Sequence, residues 1–191
     1  MRLRSKFIIG IDEVGRGAVA GPLVIGAACG RWNGKLAKLL KGVRDSKKLT
    51  PLQREKWFKK FKKMPIKFYT VFIGNDLIDK NGMSWALKEG IAKLLKKSKK
   101  KPDSVLLDGG IHAPKKYIQK TIIRGDNKIP LISAASIYAK VTRDRFMVKL
   151  DKHYCFYDFK KHKGYGTARH LAAVKKNGVS KIHRKSFLKN L

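Results

Sequence analysis

Short apolar runs alternate with longer segments of helical periodicity along this chain. Runs rich in β-branched and aromatic residues predict strands, which lie at residues 7–11, 23–28, 67–74, 104–107 and 121–123. Apolar residues three or four positions apart, together with the Thr50-Pro51 start signal, predict helices at residues 51–63, 84–97, 133–152 and 168–176. This order predicts an α/β fold, a mixed sheet flanked by helices with a C-terminal helical segment, whose polar site lies at the strand ends.

The charge balance points to a polyanionic partner. The 191 residues include 46 lysines and arginines against 13 aspartates and glutamates, which gives a formal charge of +33 at pH 7. Lysine runs such as residues 96–101 suit salt-sensitive contact with a nucleic-acid backbone, although a solvated surface explains any single run equally well. With 43% hydrophobic residues the chain has material for a core, and we expect one domain over residues 1–191, including a helical extension from about residue 150.

Apolar stretches and cysteines lead us to expect a cytoplasmic protein. The longest apolar stretch, residues 18–30, is interrupted by glycine and proline and is too short to span a membrane. The apolar run at residues 7–11 is shorter than a secretory signal requires. Cys29 and Cys155 lie far apart without metal-binding spacing, so both are expected to be buried, reduced thiols.

Acidic residues follow three of the predicted strands in a chain that has few acids. Asp12 and Glu13 follow the first strand, Asp108 ends the fourth, and Asp126 follows the fifth. If these strand ends converge, their oxygens form a site for Mg²⁺ or Mn²⁺, which favour carboxylate and water ligands. Successive strand side chains face opposite ways, so Asp12 and Glu13 share a site only if the strand bends or ends there. Any one acid alone is also explained by a turn cap or a surface lysine partner.

Five ordered blocks resemble the type 2 ribonuclease H family over nearly the whole chain. They lie at residues 10–23, 44–50, 108–109, 125–144 and 162–170. The longest are GIDEVGRGAVAGPL and ISAASIYAKVTRD, and the others include RDSKKLT and HKGYGT. Five blocks in order are a specific signal, whereas a lone GRG would be weak.

The resemblance implies an RNase H-like fold and an endoribonuclease that hydrolyses the RNA strand of RNA/DNA hybrids. It also implies nicking on the 5′ side of ribonucleotides embedded in duplex DNA, by a two-metal-ion mechanism with Mg²⁺ or Mn²⁺ that leaves 3′-hydroxyl and 5′-phosphate ends. The implied catalytic, metal-binding acids are Asp12, Glu13, Asp108 and Asp126. A monomer is expected, and a replication-clamp partner is left unknown because residues 186–191 contain no recognisable clamp-binding motif.

The same resemblance implies the substrate contacts. Gly15, Arg16 and Gly17 are expected to sense the ribose 2′-hydroxyl and adjoining phosphates through their backbone, because glycine permits close approach. Tyr165 is expected to pack on the sugar at the RNA-to-DNA junction. Further positions are expected to contact phosphates or support the site: Lys47, Thr142, Arg143, Lys163 and Thr167. Residues 182–187 resemble the family's tail and are expected to lie along the duplex.

Three histidines are expected to have structural roles, and two alternative functions are considered. His162, His170 and His183 are expected to be hydrogen-bonded structural groups, with no catalytic role. One alternative is a ribonuclease HIII-like hybrid nuclease, which carries lysine at the position of Arg16. The other is a non-catalytic basic nucleic-acid-binding protein, which would not need the acids, and metal-dependent cleavage distinguishes it from the enzyme.

Overall fold

The computed structural model describes residues 6–43 and 46–189, and within them five strands form one sheet. The strands are β1 (Phe7–Val14), β2 (Leu23–Arg31), β3 (Lys67–Ile73), β4 (Ser104–Asp108) and β5 (Gln119–Ile122). Their order across the sheet is β3-β2-β1-β4-β5, with β1, β2 and β3 antiparallel in turn and β1, β4 and β5 parallel. The C-terminal ends of the three parallel strands therefore lie at one edge, and the mixed sheet is confirmed.

Helices cover both faces of this sheet. They are α1 (Gly34–Leu39), α2 (Pro51–Phe61), α3 (Asn75–Lys97), α4 (Gly125–Lys128), α5 (Pro130–Asp151), α6 (Phe159–His162) and α7 (Ala168–Asn177). Short 3₁₀ turns lie at Ser46–Lys48, Cys155–Tyr157 and Lys185–Phe187. Ile9, Ile11 and Ile91 belong to a core between the sheet and α3, while Leu131 and Phe58 belong to a second core where α5 and α2 cover the other face. Among the helices of the described residues, none is long and apolar enough to cross a membrane.

The long helix α5 lies directly on β1. A Cβ atom on Gly10 would be 2.6 Å from the backbone carbonyl carbon of Leu131, so only glycine permits this approach. Alternate residues of a strand share a face, so Asp12 points to the same side as Gly10. The missing side chain at residue 10 thus brings the start of α5 close to the acid that follows two residues later.

Several element boundaries differ from the predictions for identifiable reasons. β1 continues to Val14 instead of ending at Asp12, because pairing with β2 extends to the Val14–Val24 pair. Helix α3 begins at Asn75, nine residues earlier than predicted, and the positive φ of 80° at Gly82 interrupts its helical backbone. β5 begins at Gln119, whose side chain bonds the backbone of Ala113. The predicted Thr50 cap is confirmed as a full capping box.

The C-terminal helical segment has an apolar cluster of its own. Tyr157, Phe159 and Val174 pack together against Met147 of α5 and Ala20 of the β1–β2 connection. Cys29 is buried as predicted, but Cys155 is exposed, because it lies on the 3₁₀ turn that joins α5 to this segment. The segment therefore covers the β1–β2 connection, next to the edge where the acids gather.

Candidate active site

Three of the predicted acids meet at the edge where the parallel strands end. Asp12 lies near the end of β1, Asp108 ends the adjacent β4, and Asp126 lies in α4 just after β5. One carboxylate oxygen from each lies within 4.8 Å of the others. Sheet order explains the convergence, because β1 and β4 are parallel neighbours and carry their last residues to the same edge.

Hydrogen bonds fix this carboxylate cluster, defined as Asp12, Asp108 and Asp126. The backbone N–H of Gly125 donates to Oδ1 of Asp108 at 2.6 Å, which ties the end of β4 to the start of α4. The Ser133 hydroxyl donates to the carbonyl of Asp126 at 2.6 Å, which ties α4 to α5. The acids therefore lie on three elements that are held together by their own backbone and side-chain bonds.

The electrostatics of the cluster suit a bound cation. Burial raises the pKa of Asp12 well above its usual range, and the nearby charges of Glu13 and Asp108 raise it further. A hydrogen bond from Ser136 partly offsets this effect. Buried like charges cost free energy unless a counter-charge neutralises them, and carboxylate oxygens are the ligands that Mg²⁺ and Mn²⁺ prefer. The donor set therefore fits the divalent ions that the sequence predicts.

Glu13 lies beside the cluster without joining its closest group. It pairs with Ile25 across the sheet, so the strand continues through this position, and yet Glu13 lines the same pocket as Asp12. Its carboxylate lies 3.7 Å from Nη1 of Arg16. Burial raises the pKa of Glu13, and the Arg16 cation opposes that rise. Four acids are thus neighbours, but only three share the 4.8 Å group.

A pocket of about 470 Å³ opens beside these acids and collects several predicted residues. Asp12 and Glu13 form part of its wall. The remaining lining residues come from the β1–β2 connection, the 46–48 turn, α5 and the loop before α7: Val14, Gly15, Arg16, Gly17, Ser46, Lys47, Ser136, Lys140 and Tyr165. Segments far apart in the sequence are therefore brought to one place, as the resemblance implies.

Two loops contribute to the pocket wall beside the acids. The glycine-arginine turn is residues 15–17, and the tyrosine loop is residues 163–167. Ala18 pairs with Tyr165 in an isolated bridge, and the N–H groups of Val19 and Ala20 donate to the carbonyl of Gly164 at 2.9 and 3.1 Å. The two loops are therefore connected directly by backbone contacts.

Side chains of α5 lie beside the tyrosine loop. Lys140 Nζ is 5.4 Å from the centre of the half-buried Tyr165 ring. Lys140, Lys163 and Tyr165 also line a larger groove of about 770 Å³ between α2, α5 and α6. Because Lys140 and Tyr165 belong to both cavities, a basic groove leads directly away from the acids.

Two predicted substrate contacts are corrected by the positions of their side chains. Arg143 has no exposed surface, so it cannot touch a bound phosphate. The Thr142 hydroxyl donates to the carbonyl of Tyr138 at 2.7 Å, and its side chain lines a different cavity with Phe58. Helical geometry explains Thr142, which lies about 200° around the helix axis from Lys140. Arg143 lies on nearly the same side as Lys140, but its guanidinium is turned to the interior, where it donates to main-chain carbonyls.

The other predictions are placed as follows. Lys47 is exposed at the pocket, and Thr167 caps α7, its hydroxyl accepting from the N–H of His170 at 3.3 Å. Residues 44 and 45 of the second block, and residues 190 and 191 of the C-terminus, lie outside the described residues. The predicted tail is partly wrong, because His183 and Arg184 are buried against the protein and do not lie along an exposed surface.

Sequence reasoning missed Ser46, Ser136 and Lys140 as pocket residues. The hydroxyls of Ser46 and Ser136 lie 2.9 Å apart and join the 3₁₀ turn to α5 beneath the pocket. Ser133 and Ser136 interrupt an otherwise apolar, buried stretch of α5, and such positions indicate polar neighbours. All three residues lie within blocks that resemble the family, although no role had been attached to them.

The histidines form a hydrogen-bonded group as predicted, in which His170 and His183 are buried and His162 is half-buried. His170 and His183 have Nε2 atoms 3.0 Å apart, and Nδ1 of His170 lies 2.9 Å from the carbonyl of Tyr165. The ring of His162 stacks on that of His170 at 4.1 Å between centroids. Burial lowers the pKa of both His170 and His183 to about 4, so both rings are neutral near pH 7.

Comparisons with known proteins agree with this geometry. A family model described as ribonuclease HII matches residues 9–190. Ribonuclease HII of Caldicellulosiruptor bescii is 41% identical over 186 residues, which cover 97% of this chain and 88% of the relative. The crystal structure of ribonuclease H2 from Pyrococcus horikoshii OT3 superposes with a TM-score of 0.77 at 31% identity, covering 94% of this chain and 93% of that one. The ribonuclease HII in a PCNA complex from Archaeoglobus fulgidus gives a TM-score of 0.78 at 27% identity, with 93% of each chain covered.

Proposed function

The chain belongs to the ribonuclease HII family, and from that premise we propose how its own residues carry out the reaction. Family membership makes it an endoribonuclease of the ribonuclease H class that acts on RNA/DNA hybrids. We further propose that it nicks on the 5′ side of single ribonucleotides in duplex DNA, leaving 3′-hydroxyl and 5′-phosphate ends. The single observation that carries this assignment is the convergence of Asp12, Asp108 and Asp126 beside the pocket.

The proposed metal ligands are the three clustered carboxylates, with Glu13 completing the set from the adjacent strand position. Divalent ions held there, two in the active complex and either Mg²⁺ or Mn²⁺, would supply positive charge to the scissile phosphate and lower the pKa of an attacking water. The N–H of Gly125 orients the carboxylate of Asp108, and the Ser133 hydroxyl fixes the main chain at Asp126, before any ligand arrives. The contribution of the protein is therefore a preorganised, buried set of negative oxygens.

Recognition of the ribose is proposed for the glycine-arginine turn and Tyr165. Gly15 has a positive φ of 91°, which a residue with a side chain rarely adopts, and a Cβ atom on Gly17 would meet nothing within 4 Å. The backbone of the turn is therefore accessible from the pocket, and the 2′-hydroxyl is the group that distinguishes RNA from DNA. Tyr165 is bridged to Ala18, which follows the turn, and this proximity supports the proposal that its ring packs on the sugar.

Cleavage of a labelled duplex with one embedded ribonucleotide tests the proposal. The assay compares Mg²⁺, Mn²⁺ and EDTA, and includes an all-DNA duplex and the Asp108→Asn variant. We expect one nick, 5′ of the ribonucleotide, that requires metal and the intact carboxylate. Binding without cleavage in any metal would support the rival non-catalytic nucleic-acid-binding protein.

A partner protein, an oligomeric state and a cellular location are also proposed. The Archaeoglobus fulgidus relative was solved with PCNA, which makes a sliding clamp a candidate partner here. We propose a monomer, because the residues that line the pocket all belong to one chain, and we propose a cytoplasmic location. Gel filtration with light scattering, alone and with a sliding clamp, measures both the oligomeric state and the partner.

A further inference from the structure

Two arginines lie fully buried behind the glycine-arginine turn. Arg143 on α5 donates three side-chain hydrogen bonds, and all of its acceptors are main-chain carbonyls. Nε donates to Pro22 at 2.9 Å, Nη1 to Lys163 at 2.8 Å and Nη2 to Ala20 at 3.1 Å. One guanidinium therefore connects the end of the β1–β2 connection with the first residue of the tyrosine loop.

Arg184 approaches the same connection from the C-terminal segment. Its Nε donates to the carbonyl of Gly21 at 3.0 Å, and its Nη1 donates to the carbonyl of Arg16 at 3.0 Å. The backbone follows the same path, since the N–H of Arg184 donates to the carbonyl of Val19 and the N–H of Gly21 donates to that of Ile182, both at 2.8 Å. The segment after α7 is thus paired with the strand-like residues that leave the turn.

Burying two guanidinium groups costs more free energy than a purely structural contact requires. Both guanidinium groups are completely buried, and Nη2 of Arg184 has no hydrogen-bond partner among the described residues. Burial lowers the pKa of Arg184 to about 10, and the nearby Arg143 cation acts in the same direction. Apolar side chains of similar volume often replace buried ionic groups without loss of stability. The five carbonyls that the two arginines hold therefore deserve a functional explanation.

The carbonyl of Arg16 is the informative acceptor, because it belongs to the middle of the turn itself. Glycine on both sides leaves the turn with little rigidity of its own. The side of the turn at Gly17 faces open space, whereas the bond from Arg184 fixes the opposite side. Through Arg143 the same guanidinium pair also fixes Lys163, two residues before Tyr165. The two loops that line the pocket are thereby held at a defined separation.

We propose that Arg184 is a positioning residue for ribose discrimination, acting through the carbonyl of Arg16. The C-terminal segment then sets substrate choice from inside the protein and need not touch nucleic acid to do so. This inference rests on the proposed role of the glycine-arginine turn. It assigns Arg184 no contact with substrate or metal, and Arg143 supports the same loops from α5.

The test compares cleavage of two substrates by Arg184→Ala and Arg184→Lys. Discrimination is defined as kcat/KM on a duplex with one ribonucleotide divided by kcat/KM on a continuous RNA/DNA hybrid. A single ribonucleotide offers one 2′-hydroxyl to be read, so it depends most on the geometry of the turn. We expect Arg184→Ala to lose discrimination by on the order of 100-fold, the effect of a misplacement of about 1 Å, mainly in kcat. Lysine keeps the positive charge but not the planar guanidinium that bonds two carbonyls. The discrimination of Arg184→Lys should therefore fall between those of the wild type and Arg184→Ala.

Chemical rescue and a matched control separate positioning from general damage. Ethylguanidinium at millimolar concentration replaces the atoms that Arg184→Ala removes, and we expect it to restore discrimination, while ethylamine should not. Arg31→Ala makes the same change on an exposed residue at the opposite end of β2, and should leave discrimination unchanged. The thermal shift produced by Mn²⁺ should persist in both Arg184 variants, because the carboxylate cluster does not contact that residue.

The proposed function and the inference about Arg184 are contradicted by different results. Failure of the wild-type protein to cut either substrate would overturn the proposed function. A wild-type protein that cuts, together with a folded Arg184→Ala variant of unchanged discrimination, would overturn the inference alone. If Arg184→Ala does not fold, Arg184→Lys decides the matter: parallel loss on both substrates indicates a structural role, and selective loss on the single ribonucleotide supports positioning.

Discussion

The carboxylate cluster and the glycine-arginine turn both contribute to one pocket, yet different forces hold them. The cluster is positioned by the sheet, because Asp12 lies two residues before the end of β1 and Asp108 ends the neighbouring parallel strand β4. The turn lies outside the regular sheet and is held by buried guanidinium groups from distant parts of the chain. The proposed metal ligands therefore lie on or next to the sheet, and the proposed ribose contacts lie on a turn whose geometry depends on tertiary contacts.

Acid affects the two regions in opposite directions. In the cluster, burial raises the pKa of Asp12, so its neutral form is favoured by folding and the cost of its charge appears as pH rises. In the histidine group behind the tyrosine loop, burial lowers the pKa values, so folding favours the neutral rings and their contribution is lost as pH falls. The two walls of the pocket can therefore be perturbed separately.

The largest effect is expected from Asp108→Asn. Asparagine retains the oxygen that accepts from the N–H of Gly125, so the fold should persist while the cluster loses a charge. We expect cleavage to fall by at least about 1,000-fold and the stabilisation by Mn²⁺ to disappear. Steady-state cleavage and thermal melts with and without Mn²⁺ measure both. Asp103→Asn, just before the opposite end of β4, is the control; equal losses in the two variants would contradict the metal-site assignment.

Tyr165→Ala should damage the other wall without touching the metal site. Loss of an aromatic surface against a sugar or base costs about 1–3 kcal/mol, so we expect a loss on the order of 50-fold in cleavage of the single-ribonucleotide duplex. The Mn²⁺-induced thermal shift should stay as in the wild type. Tyr154→Ala, in the C-terminal segment, serves as the aromatic control. Loss of the metal shift in Tyr165→Ala would show that the two walls are not independent.

Acidification should loosen the loop wall through its histidines. His170 and His183 have a pKa of about 4 in the fold against 6.5 for the free side chain. Their contribution to the free energy of unfolding is therefore complete above about pH 7 and is lost as pH falls from 6.5 toward 4. Between pH 7 and 5 each should lose on the order of 2 kcal/mol.

Urea unfolding at the two pH values measures this loss. His170→Gln should show a smaller pH dependence than the wild type, whereas His153→Gln, an exposed substitution, should behave like the wild type. An identical pH dependence in His170→Gln would contradict the assignment of the loss to this group.

The carboxylate cluster could be predicted from the sequence, whereas the contacts that hold the glycine-arginine turn could not. Acidic residues after apolar strands predict the cluster, because neighbouring parallel strands end at the same edge of the sheet. Arg184 could not be found in this way, since its acceptor on Arg16 lies 168 positions away and the chain contains 46 basic residues with nothing local to single it out. For Arg143 the resemblance predicts a phosphate contact or support of the site, and only the packing reveals its burial, which leaves the supporting role.

Lys47→Gln should produce the smallest change, because its charge is exposed at the mouth of the pocket. One exposed phosphate contact is worth up to about 1 kcal/mol, so substrate affinity should weaken only severalfold. The slope of log affinity against log salt should decrease in magnitude by about 1, without altered discrimination between substrates. Fluorescence anisotropy over a salt series measures the slope, with Lys99→Gln after α3 as the control of equal charge. Equal slopes in the two variants would show that binding depends on the total charge of +33 and not on the pocket. The basic residues would then contribute to attraction, while only the turn and Tyr165 contribute to selection of the substrate.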